Sequence, residues 1–180
     1  YTGLGNSMEF EDEDTSMKML SDKEIAMNVL SDYFEVENNL ENNAALERTG
    51  RHLGQMLRYI DGNGRDIRSV ALLFPYISYL YVRIQIMLGR AEQGIAPCKR
   101  SIELMRTHNQ CRMLEMTLRQ YIQLMKNLGI SNRAQDEERL LKSWQEVLGF
   151  LKRLSGNVPD EGCGFAERLL RCGVWNGGAF

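Results

Sequence analysis

The sequence predicts an all-α fold, a set of antiparallel helical hairpins stacked side by side, on three observations. Apolar residues recur at helical spacing through most of residues 21–155. Only three prolines occur in 180 residues, and 26% of residues are charged, a composition that suits long helices better than sandwiches or barrels. Short polar or glycine-containing turns separate the apolar stripes, with no strand-like alternation between them. The length fits one domain, and 43% hydrophobic residues suffice for a core.

Residues 1–20 combine glycine with the acidic run Glu9, Glu11, Asp12, Glu13 and Asp14 and lack a sustained apolar period, so they read as a flexible acidic lead-in. Ser21 and Glu24 then stand three apart, the reciprocal pairing that satisfies backbone N–H groups at a helix start. Ile25, Val29, Tyr33 and Val36 form the stripe of this first helix. After an Asn-rich stretch, Leu46, Leu53, Met56, Leu57 and Ile60 place a second helix over about 41–59, closed by Asp61-Gly62-Asn63-Gly64.

The third helix, over about 66–88, follows from Val70, Leu73, Ile77, Leu80, Ile84 and Met87. Pro75 interrupts that stripe, so either the helix kinks there or its start moves to just before Pro75. Gly89 ends it, and a fourth helix spans about 91–105 with Pro97 one turn in. Beyond the polar connection 106–109, a fifth helix ends at Gly129, and a sixth, capped by Ser131 or Asn132, carries Leu140, Leu141, Trp144, Val147, Leu148 and Leu151. Residues 156–180 read as a C-terminal tail with one short helix over 165–171.

Several functions are disfavoured by composition. A net charge of −2 and a pI near 5.8 argue against this chain itself coating a nucleic-acid backbone. No apolar run is read as long enough to cross a bilayer and no signal peptide is evident, so the expectation is a cytoplasmic protein that engages no membrane. The sequence opens at Tyr1 without an initiator Met, which reads as a fragment of something longer. Cys98, Cys111, Cys163 and Cys172 are widely spaced, lack a CxxC pair and have only His52 and His108 for company, so neither a metal nor any other cofactor is expected.

Asp61-Gly62-Asn63-Gly64-Arg65-Asp66 fails as a calcium loop: Arg65 occupies a ligand position, Asp66 replaces the required glycine and Leu72 replaces the bidentate Glu. An anion resting beside Gly62, Gly64 and Arg65 lacks the full glycine fingerprint, and a solvated loop is preferred. Cys98 or Cys111 with His108 is the one conceivable nucleophile and base, without an orienting third group, so no enzyme is expected. The charges at Arg100, Arg106 and Arg112 read as solvated helix faces.

Aligning Gly89 with Gly129 matches Tyr81-Val82 with Tyr121-Ile122, Leu88-Gly89 with Leu128-Gly129, and Gly94 with Ala134, an internal repeat of helix pairs. The small residue five positions beyond the glycine is where two helices approach closely. Tyr79, Tyr81, Gly89-Arg90-Ala91-Glu92, Gly94, Ser101 and Ile102-Glu103-Leu104 together resemble the tetratricopeptide repeat. Ser78, Val82 and Glu138 depart from it, and the spacing between the glycines exceeds the standard repeat. The expected fold is therefore a right-handed, tetratricopeptide-like stack of antiparallel helical hairpins.

A narrower resemblance covers most of residues 21–151. A leading amphipathic helix, Leu73-Phe74-Pro75-Tyr76-Ile77, Leu88-Gly89-Arg90-Ala91-Glu92, Ile102-Glu103-Leu104-Met105 and a Leu-Gly-terminated helix follow in the order seen in the helical sensor region of Xre-type transcriptional regulators of Gram-positive bacteria. That resemblance implies a regulatory domain that binds a short peptide or a partner protein, or forms a homodimer. DNA would be contacted only through a helix-turn-helix domain absent from this chain. The alternative is a general tetratricopeptide-type interaction scaffold unrelated to transcription.

Counting from the two glycines puts Tyr76, Tyr79, Arg83 and Met87 on one wall of a concave groove and Met116, Arg119, Gln123 and Asn127 on the other. Aromatic faces there would bury peptide side chains, while amides and arginines would pair with its backbone or carboxylate.

Overall fold

The computed structural model describes residues 19–62, 64–110, 112–130, 135, 138–139, 141–142, 145–146 and 163–175. The lead-in over 1–18, Cys111, most of the expected sixth helix and the end of the tail lie outside the described residues. Among the described residues the regular structure is entirely helical: α1 (Asp22–Asn38), α2 (Asn43–Gly62), α3 (Ile67–Met87), a 3-10 turn (Ala91–Gly94), α4 (Ile95–Thr107), α5 (Leu114–Asn127) and α6 (Phe165–Leu170).

Local chemistry sets the helix ends. At α1 the Ser21 side chain accepts from the Glu24 N–H and the Glu24 carboxylate accepts from the Ser21 N–H, both halves of the expected capping box. The Asn-rich stretch supplies the next cap: Asn42 Oδ1 accepts from the Ala45 N–H, so α2 starts slightly later than the apolar pattern indicates and runs on to Gly62. At the other ends, α3 and α5 close in the same way. Gly89 and Gly129 both have φ 71°. The Arg90 N–H bonds to Gln85 O at 2.8 Å, and the Ile130 N–H to Met125 O at 2.9 Å. The glycines aligned in the sequence thus adopt one geometry, which a Cβ would disfavour.

The expected third helix forms, and of the two readings of Pro75 the later start is set aside: α3 is continuous from Ile67, with Asp66 capping the Arg68 N–H. Proline removes one hydrogen bond, the donor owed to Ala71, but Val70 to Ser78 are all buried, and that packing holds the helix through the defect. The expected fourth helix divides into the 3-10 turn and α4, which places Pro97 in the first turn of α4, where its missing N–H has no intrahelical partner to lose.

α3 is the centre of the molecule. It packs against α1, α2, the 3-10 turn, α4 and α5, while each of α1 to α5 also packs on its neighbour in sequence. By length and composition α3 is apolar enough to cross a bilayer, contrary to the sequence expectation, and 67% of its most apolar window is buried among the other helices.

Glycines allow the closest approaches to α3. A Cβ on Gly50 would lie 3.1 Å from Ile84 Cγ2, and one on Gly54 would lie 3.3 Å from Tyr81 Cε2. On the other side, a Cβ on Gly94 would lie 3.0 Å from Val82 Cγ1 and 3.1 Å from Leu124 Cδ2. Val82 fills the space that Gly94 leaves open. Gly94→Leu should therefore force α3, α5 and the 3-10 turn apart and destabilise the chain by about 1–3 kcal/mol in denaturant unfolding. An unchanged midpoint would refute this packing.

Ion pairs fasten the outer connections. Asp22 accepts from Arg65 Nη1 and Ser69 Oγ, both at 2.7 Å, while Arg65 Nη2 bonds Leu20 O. The chain's own carboxylate thus meets Arg65, the residue that the sequence placed beside a conceivable anion. Asp61 holds Arg100 through two bonds of 3.0 and 3.2 Å, tying α2 to α4.

Between α1 and α2, His52 Nδ1 lies 2.7 Å from Asp32 Oδ2. The hydrogen bond to Asp32 outweighs burial and raises the pKa of His52, whereas burial dominates for Asp32 and raises its carboxyl. A raised folded-state pKa makes both contributions fall as pH increases, that of Asp32 from its free value of 3.8 upward and that of His52 from 6.5 upward. Unfolding free energy should accordingly decline as pH rises past 6.5. His52→Gln should flatten that decline in denaturant titrations; an identical slope would exclude the pair as its source.

Candidate functional site

Helical periodicity brings Tyr79, Arg83 and Ile86 onto one side of α3, and Met116, Arg119, Gln120 and Gln123 onto one side of α5. Together with Met87 and Leu40, from the α1–α2 connection, they line an open cleft of about 590 Å³. Four of its walls are aliphatic or thioether side chains, and Leu40 and Met87 are exposed although apolar.

Both arginines of the cleft are paired. Arg83 is bonded to Glu37, and Arg119 donates twice to Glu115 Oε1, at 2.9 and 3.1 Å. At the base of the cleft, Gln120 Nε2 donates to Tyr79 O at 2.8 Å and braces α5 against α3. Its Oε1 is buried and accepts no hydrogen bond among the described residues.

Six of the eight residues expected in the groove, Tyr79, Arg83, Met87, Met116, Arg119 and Gln123, line this cleft. Asn127 does not; it is an exposed residue at the end of α5, one turn past Gln123. Tyr76 does not either. It is 1% exposed, and its hydroxyl donates to Arg168 O at 3.1 Å, because its position one turn before Tyr79 falls where α6 covers α3. Ile86, Leu40 and Gln120 were not anticipated. Gln120 stands one turn from both Met116 and Gln123, a spacing that could have revealed it, whereas no periodic signal links Leu40 to either helix.

The site extends behind Tyr79 into a cluster of aromatic rings. Phe165 of α6 stacks on Tyr33 of α1, with centroids 5.2 Å apart and planes at 23°, and on Tyr79, at 5.6 Å and 18°. Tyr76 meets the same ring edge-on at 5.7 Å and 74°. Tyr79 thus has one face on this cage and also borders the open cleft, and burial raises the pKa of its phenol. Phe165, Leu169 and Val174 are all buried, so this part of the expected tail belongs to the core.

Polar contacts seat α6. Arg168, nearly fully buried, donates from Nε to Cys163 O at 2.8 Å and from Nη1 to Arg112 O. Tyr76 Oη donates to the Arg168 carbonyl, one of the groups that a helix end leaves without an intrahelical partner, and Trp175 Nε1 donates to the Leu169 carbonyl, which also accepts from the Cys172 N–H.

Of the thiols considered for catalysis, Cys98 is fully buried, with Sγ 3.6 Å from Thr117 O. Burial raises the Cys172 thiol pKa, which disfavours the nucleophilic thiolate. His108 forms the C-cap of α4. No family model, curated protein or solved structure matches the chain.

Proposed function

We propose that this chain is a non-catalytic, cytoplasmic sensor domain of a transcriptional regulator, in which a tetratricopeptide-like stack of hairpins binds a short peptide between α3 and α5. The single observation that carries this reading is the cleft itself. Two helices that the sequence pairs through Gly89 and Gly129 present Tyr79, Met87, Met116 and Gln123 around one open volume of about 590 Å³, a size suited to a few peptide residues. Thioether and aromatic surfaces offer burial to side chains, while amides offer hydrogen bonds to a peptide backbone.

The neutralised arginines refine the ligand. Capturing a carboxylate on Arg83 or Arg119 would first break its bond to Glu37 or Glu115, so an uncharged, largely apolar peptide suits the cleft better than an acidic one. Binding would be transmitted because α3 touches every other helix from α1 to α5: a ligand that wedges between α3 and α5 changes how hairpins pack or how two copies pair. DNA contact belongs to a domain outside this chain.

Peptides selected from a displayed random library on the full chain provide the test. Met116→Lys and Met87→Lys should each weaken the selected peptides by about tenfold or more, equivalent to about 1.4 kcal/mol. Far-ultraviolet circular dichroism and the unfolding midpoint should hardly change. Undiminished affinity in both variants would place the peptide elsewhere.

A further inference from the structure

α6 is held as a ligand is held. It is a six-residue helix without a side-chain N-cap, too short to be stable by itself, so its order derives from the surface on which it lies. One ring, that of Phe165, enters a cage of three tyrosines supplied by α1 and α3. Its carbonyl at Arg168 is met by Tyr76 across 92 residues of sequence. An aromatic anchor in a formed pocket, with a few directed hydrogen bonds beside it, is how a folded peptide is gripped in a groove.

The position is equally telling. Tyr79 stacks on Phe165 and also borders the open cleft, so the cage and the cleft share a wall. Tyr76 and Tyr79, the aromatic residues that the glycine alignment assigns to ligand binding, are both in contact with the chain's own Phe165. Each tyrosine face taken by that ring is closed to an incoming side chain.

We propose that Phe165–Leu170 is an internal, autoinhibitory ligand of the Tyr33–Tyr76–Tyr79 cage, and that the activating peptide carries an aromatic side chain which replaces Phe165. The proposal rests on the peptide-binding reading of the cleft and adds to it the chemistry of the anchor and the segment displaced. No covalent step is involved. The exchange trades one buried ring for another, so it requires only that the partner's remaining contacts along the cleft exceed those of α6.

The probe is a fluorescent peptide with the sequence of residues 163–175, kept reduced, titrated against the full chain. It should bind the Phe165→Ala variant, whose cage is vacated, at least about tenfold more tightly than the wild-type chain. A probe carrying Ala in place of its own Phe should bind neither. Equal binding to both chains, or to neither, overturns the proposal.

If Phe165→Ala fails to fold, amide hydrogen exchange on the unaltered chain decides. Amides of α6 should exchange at least about tenfold faster than those of α3, the signature of local opening. Exchange of both at one rate would make α6 a permanent part of the core and overturn the proposal. Failure of the two readings is distinguishable. Library peptides that bind the cleft and survive saturating probe uphold the cleft and refute the exchange. A probe that binds the vacated cage while no library peptide binds upholds the cage and refutes the cleft.

Discussion

The burial of α3 is the constraint on which the remaining structure depends. Its residues from Val70 to Ser78 are buried on all sides, and removing that much apolar surface from water requires partners around the full circumference. α1, α2, α4 and α5 supply them, and Gly50, Gly54 and Gly94 let backbones approach where a side chain would intervene. The helix persists through Pro75 for the same reason: the loss of one hydrogen bond is small beside the packing of the residues around it.

A central helix also explains where the cleft lies. α1 and α2 cover one part of α3, the 3-10 turn and α4 another, and α5 touches it where Gln120 reaches the Tyr79 carbonyl. Beside that contact, Tyr79, Arg83, Ile86 and Met87 border the open cleft. Below Tyr79, α6 closes the same side. The boundary between a filled and an open groove therefore runs through a single tyrosine.

Charge is managed within the chain. Arg65 meets Asp22, Arg83 meets Glu37, Arg100 meets Asp61 and Arg119 meets Glu115. The outer pairs at Arg100 and Arg119 add little stability, and the pairing of Arg83 and Arg119 removes the free cations that would favour an acidic ligand. The cleft is consequently distinguished by its apolar and amide surfaces.

Local features of the fold were legible in the sequence because local physics decides them. Ser21 with Glu24 marks a capping box, Gly89 and Gly129 mark left-handed helix ends, and the stripe from Val70 to Met87 marks a helix, each within one or two turns of chain. The glycines even set the register that brought Tyr79, Arg83, Met87, Met116, Arg119 and Gln123 to one cleft. Tertiary structure alone decided the rest. Nothing near Tyr76 in sequence reveals that Phe165 and Arg168 will cover it, nothing near Arg83 announces its pairing with Glu37, and nothing in the Asn-rich stretch aims Leu40 at the cleft. Those outcomes depend on which distant surfaces meet when α3 is buried. Periodicity shows that a face will be covered, whereas its occupant is determined only by the packed chain.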